Sequence, residues 1–163
     1  RDRSPSRGLG DVYKRQLLAA QAQADGRLVR EQLKDGNPRV RANAVEALWG
    51  SKHPSAVRIF EEIVRQGTDH HRVLVNAVVG LYLADHQAVA VAKLKSLAQA
   101  ESPAHQAAVA WAMGFLEDTV FDSTLASLAT SSHSGVATAA TRARERGVSN
   151  KAGSKFLEPP PEC

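Results

Sequence analysis

The chain of 163 residues carries 21 lysines and arginines against 17 acidic residues, a formal charge of +4, and is 43% hydrophobic. No apolar run approaches the ~18 residues that a membrane-spanning helix requires, so a soluble chain with no membrane partner is expected. Cys163 is the single cysteine, which excludes an intramolecular disulfide.

The first sixteen residues, RDRSPSRGLGDVYKRQ, hold five of the basic residues. Asp11-Val12-Tyr13-Lys14-Arg15-Gln16 is the translation of GAT-GTG-TAT-AAG-AGA-CAG and resembles the transposon end used to tag DNA for sequencing. Arg1 to Gly10 resembles read-through of the adjoining adapter. A processing scar stays outside fold reasoning, so residues 1–16 are expected to be non-native and irregular, and 17–147 to form the domain of a fragment of a longer protein. What remains has 16 basic and 15 acidic residues, a charge of +1. Sequence-independent nucleic-acid binding depends on basic residues neutralising phosphates, so nucleic acid is not the expected partner. The next stretch, LLAAQAQADGRL, is too short and too broken by Gln and Asp for a signal peptide.

GRLVREQLKDG (26–36) reads as the second helix of a two-helix unit, with Val29 and Leu33 four apart. NPRVRANAVEALWG (37–50) then opens a series continued by HHRVLVNAVVGLYL (70–83), SPAHQAAVAWAMGF (102–115) and SGVATAATRARERG (134–147). Aligned, these share four columns: Val40, Val73, His105, Val136; Ala44, Ala77, Val109, Ala140; Ala47, Gly80, Ala112, Ala143; and Leu48, Leu81, Met113, Arg144. The columns stand at i, i+4, i+7 and i+8, one face of a helix. The small third column predicts close approach of a neighbouring helix, which offsets the roughly 1 kcal/mol of helix propensity lost at Gly80. Between these lie AVRIFEEIVRQG (56–67), AVAKLKSLAQA (90–100) and FDSTLASLATSS (121–132), which match at Phe60, Leu94, Leu125, at Ile63, Leu97, Leu128, and at Val64, Ala98, Ala129. Asn37-Pro38 and Ser102-Pro103 are each a cap residue followed by proline at the first helical position, and Pro54 can open a helix likewise. Gly36, Gly67 and Gly147 mark expected stops. Residues 148–163, polar and ending in three prolines, read as a disordered tail.

LKDGNPRVRANAVEALWG, with its Asp, Pro, Val-Arg pair and Ala-Val-x-Ala-Leu core, resembles a HEAT repeat over Gly26 to Gly147. The resemblance implies an all-α fold: a right-handed α-α superhelix, or solenoid, of about three and a half two-helix repeats, with the second helices lining a concave face. The position of Arg41 becomes Leu74, Gln106 and Ala137 in later copies, so a ladder between Asp35 and Arg41 is not propagated. Arg144 replaces the apolar fourth column and marks a solvated terminal helix of the capping kind. Uncapped repeat ends make self-association a hazard.

On that resemblance the candidate concave-face contacts are Arg58, Glu62 and Arg65 in the first full repeat, Ser96 and Gln99 in the next, and Ser127 and Thr130 in the third. Arg58 with Glu62 and Glu61 with Arg65 are each four apart, and intrahelical pairing is the plainer account of them. Asp69, His70 and His71 stand at a helix start, where Asp69 would cap and the histidines lie in the first turn; no ligand set for a metal emerges. Trp49, Tyr82 and Trp111 read as packing wedges between repeats. No phosphate loop, nucleophile turn or paired-cysteine site occurs, so no catalytic residue, metal or cofactor is expected. The leading expectation is a non-enzymatic scaffold that binds an unidentified protein partner. The alternatives are a HEAT-like bilin lyase or accessory enzyme, and a nucleic-acid-binding solenoid.

Overall fold

The computed structural model describes residues 26–51 and 53–155, and all regular structure among them is helical. The expected scar (1–16) and the rest of the chain before Gly26 lie outside the described residues. The helices are α1 (Gly26–Gln32), α2 (Pro38–Glu46), α3 (Pro54–Gln66), α4 (His71–Leu83), α5 (Gln87–Ala98), α6 (Pro103–Leu116), α7 (Asp122–Ala129) and α8 (Ser134–Lys155), with a 3-10 turn, Thr119–Phe121, leading into α7. They form two compact units that divide after Asp85. The protein is therefore all-α.

The helix starts follow the local chemistry of the sequence. Asn37 Oδ1 accepts the Arg39 N–H at 2.9 Å and Ser102 Oγ accepts the His105 N–H at 3.5 Å, each just before a proline that has no N–H to satisfy. Pro54 opens α3 behind an unforeseen cap, His53, whose Nδ1 accepts the Ser55 N–H at 3.3 Å. Gly67 closes α3 at a φ of 74°, a conformation that costs a residue with a Cβ.

In the first unit α4 packs against both α2 and α3. Every residue from Val73 to Leu81 is buried, so this helix is the core of its unit rather than an amphipathic cover for it. Its Gly80 faces the ring of Phe60 on α3, and a Cβ at that position would come within 2.5 Å of the ring. The close approach expected of the small third column is thus present at Gly80. Asn76 is the buried polar residue of this unit; its Nδ2 donates to the Ala42 carbonyl of α2 at 3.0 Å, and its own carbonyl accepts the Trp49 indole N–H at 2.9 Å.

In the second unit α8 packs on α6 and α7, and α6 also packs on α5. The contact between α6 and α8 is tightest at Gly114, where a Cβ would lie 2.5 Å from the Ala143 Cβ and 2.7 Å from its Cα. Phe121, Leu125 and Leu128 are buried in the same unit, with Val136, Ala140 and Ala143 of α8.

All four members of the second column, Ala44, Ala77, Val109 and Ala140, are buried, and in the fourth Leu48, Leu81 and Met113 are buried while Arg144 is exposed, as expected. Other expectations need correction. Ala47 is exposed: α2 ends at Glu46 and the chain turns through Gly50, at a φ of 79°, so the third column of that copy falls beyond its helix. Gly147 does not stop α8, which runs on to Lys155. A single glycine costs only about 1 kcal/mol in a helix interior, too little to end a helix already packed along Val136, Ala140 and Ala143. Of the stretch expected to be a disordered tail, 148–155 is therefore helical, and 156–163 lies outside the described residues.

Candidate interaction surface

The outward positions of the second helices are where the repeat spacing places them. Arg58 and Arg65 on α3, Ser96 on α5, Gln99 just after it, Ser127 on α7 and Thr130 at the end of α7 are exposed, and Glu62 is half-buried. The inward positions Phe60, Leu94 and Leu125 are buried. Within the first unit, Arg58, Glu62 and Arg65 stand at i, i+4 and i+7 and so share one face of α3. Within the second, α5 and α7 are neighbours, which brings Ser96 and Gln99 beside the helix that carries Ser127 and Thr130. Thr130 is the least available of these for a partner, because its Oγ1 donates to the Ser127 carbonyl at 2.8 Å.

Glu62 departs from the expected pairing. Its partner is Arg30 on α1 and not Arg58 one turn away: Arg30 Nη1 donates to Glu62 Oε2 at 2.7 Å and Nη2 to Oε1 at 3.3 Å. The planar guanidinium of Arg30 thus meets both carboxylate oxygens at once. The Arg30 hydrogen bond holds the Glu62 carboxyl below the usual carboxylate range against the opposing effect of burial, and the charges of Arg30, Arg65 and Arg58 pull in the same downward direction. The same hydrogen bond raises Arg30, against a smaller opposing effect of burial. Sequence spacing could not show this pair, since its members lie 32 residues apart.

A second departure concerns Asp69. The residue before α4 is His70, and Asp69 does not cap the helix; its Oδ1 accepts from Arg41 Nη2 at 3.3 Å and from Thr68 Oγ1 at 3.3 Å. Arg41 also donates to the carbonyls of Asp35 at 2.9 Å and Gly36 at 3.3 Å. One arginine thus clamps the loop before its own helix to the loop before α4. His70 and His71 stack at 4.5 Å between ring centroids, and the His70 Nδ1 is buried without a hydrogen-bond partner. Among the described residues no three histidines, cysteines or carboxylates come together as a metal site.

Hollows open on the surface of each unit among the described residues. One, of about 440 Å³, belongs to the first unit and is lined by Ile59, Ile63 and Val73, with Arg41, Glu62 and Asp69 also among its walls. Another, of about 210 Å³, belongs to the second unit and lies between Met113, Leu125 and the acidic residues Glu117, Asp118 and Asp122. Trp111 departs from the expected packing role: it is 40% exposed and stacks on Phe115, itself 43% exposed, at 5.4 Å between centroids. Trp49 is half-buried and hydrogen-bonded into the first unit. No helix among the described residues is long and apolar enough to cross a membrane.

Compared with known proteins, the chain matches no family model, no curated protein and no solved structure.

Proposed function

We propose that this chain is a non-enzymatic protein–protein interaction scaffold, built as a right-handed α-α superhelix of HEAT-like repeats. The observation that carries the reading is the division of the second helices into two faces. In α3, α5 and α7 the matched positions Phe60, Leu94 and Leu125 are buried while Arg58, Arg65, Ser96 and Ser127 face water. Repeats of this design offer an extended surface instead of one deep pocket, and the exposed residues here are polar and varied, the composition of an interface rim.

Affinity capture with the full chain, identification of the captured protein and calorimetric titration of the purified pair test the proposal. Ser96→Arg and Ser127→Arg are expected to weaken binding at least tenfold with unchanged melting temperatures. Wild-type affinity in both variants would remove the outward face from the interface. Incubation with a bilin is expected to leave the pigment's absorbance unchanged; a lasting shift would replace the scaffold with a lyase.

A further inference from the structure

We infer that the exposed face of α3 is an acceptor for an acidic peptide segment, with Arg58 and Arg65 as its contacts and Glu62 seated between them as an internal stand-in for the partner's carboxylate. The inference rests on the scaffold reading and adds the partner's chemistry to it.

The charges of α1 and α3 can be followed residue by residue. Arg30 is matched with Glu62 at 2.7 Å, and Lys34 with Glu31 at 3.0 Å. With Lys34 and Asp35 of the turn after α1 included, Arg27, Arg58 and Arg65 then remain against Asp35 and Glu61, all five exposed. Among the described residues no ion pair joins Arg58 or Arg65 to an acid. The two arginines flank Glu62 by one turn on either side, and both draw its carboxyl downward, so their charges are felt at the place where that carboxylate sits. A carboxylate held by the guanidinium of Arg30, with two further guanidinium groups in reach, shows the kind of ligand the surface stabilises. Positions i and i+7 of a helix are separated by about 10 Å along its axis. A partner segment in the polyproline II conformation, with three residues per turn and a rise of ~3.1 Å, presents carboxylates three residues apart on one side at about 9 Å, and so meets both arginines.

An acidic peptide fits this surface better than a nucleic acid does. Phosphate backbones are held by extended tracks of basic residues, whereas the matched positions are Ala92, Ser96 and Gln99 on and just after α5, and Ser123, Ser127 and Thr130 on and just after α7. At these matched outward positions, basic residues occur on α3 alone, as Arg58 and Arg65.

Fluorescence anisotropy on the full chain decides the matter, with three labelled probes: a twelve-residue Gly/Ser peptide with glutamate at every third position, its glutamine counterpart, and a single-stranded DNA of twelve nucleotides. The glutamate peptide is expected to bind at least tenfold tighter than the glutamine peptide. The Arg58→Gln/Arg65→Gln double variant is expected to abolish that preference while keeping the wild-type circular dichroism spectrum. Glu62→Gln, which removes the internal competitor, is expected to tighten binding of the glutamate peptide severalfold. Equal affinity for the two peptides overturns the inference, as does unchanged or weaker binding in Glu62→Gln. DNA binding tighter than the glutamate peptide overturns it in favour of a polyanion groove. If the peptides bind alike while Ser96→Arg and Ser127→Arg still weaken a purified partner, the scaffold stands and only the acidic specificity fails.

Discussion

The two units solve the same packing problem with different chemistry. In the column that follows the fourth, the first unit holds Trp49 and Tyr82, whereas the second holds Gly114 and Glu145. Where the aromatic is present, α2 and α4 are joined through groups that reach across: the Trp49 indole on the Asn76 carbonyl, and the Asn76 amide on the Ala42 carbonyl. Where glycine replaces it, α8 closes directly onto α6, with Ala143 against the backbone of Gly114. The bulky aromatic of that copy has moved to Trp111, one turn earlier, and points to the surface. Equivalent positions of a repeat thus specify that a neighbour packs there, not how it packs. Polar atoms that hydrogen-bond across a contact also fix its register, whereas a glycine-to-alanine contact gains its stability from close apposition.

Four sets of substitutions test this contrast, and hydrogen exchange on each variant locates the unit that opens. Trp49→Ala is expected to have the largest effect, about 3 kcal/mol by urea denaturation, concentrated in the first unit. Trp49→Phe retains most of the volume and is expected to cost about 1 kcal/mol for the lost hydrogen bond. Full stability in Trp49→Ala would mean that the aromatic does not join the helices. Gly114→Ala and Gly80→Ala come next, at about 1 to 3 kcal/mol for overpacking, partly offset by a helix-propensity gain near 1 kcal/mol. Gly114→Ala is expected to be the worse of the two, because its new methyl meets the backbone of Ala143 and not a ring alone. A stabilised Gly114→Ala would show that α8 can move away at no cost.

Asn37→Ala and Ser102→Ala each remove a helix cap, one per unit, and are expected to lower stability by about 1 kcal/mol. The 2.9 Å cap at Asn37 should cost more to lose than the 3.5 Å cap at Ser102; the reverse order in thermal melts would count against the cap geometry. The smallest effect concerns Glu62. Its carboxyl lies lower in the fold than in the unfolded chain, so the stability it contributes is present above the unfolded value and is lost as pH falls through the folded one. The melting temperatures of wild type and Glu62→Gln are therefore expected to converge as pH falls below the ordinary glutamate range and through the lower folded-state value. A gap that stays constant from neutral pH to pH 3 would show that the Arg30 pair does not stabilise the fold.

The helices were legible because their signals are local. Asn37-Pro38, Pro54 and Ser102-Pro103 start helices through geometry contained in a few adjacent residues. The buried second column, Ala44, Ala77, Val109 and Ala140, follows from periodicity alone. What escaped depends on residues distant in sequence. Spacing favours Arg58 as partner for Glu62 because both lie on one helix, but Arg30 competes from 32 residues away and presents two nitrogens to two oxygens. Asp69 has the composition of a cap, but Arg41 holds its carboxylate. Gly114 carries no local mark that sets it apart from Gly147; one is pressed against Ala143, and the other has open space where its Cβ would be.

By itself, then, the sequence determined that the chain is helical, where most of its helices begin and which stripe each one buries, because these follow from φ, ψ preferences, end-group hydrogen bonding and a 3.6-residue period. Which glycines are pressed against a neighbour, which arginine meets Glu62 and which arginines of α3 stand outside an ion pair follow from the tertiary structure alone. Those outcomes depend on the distance between helices, a quantity that no single segment contains.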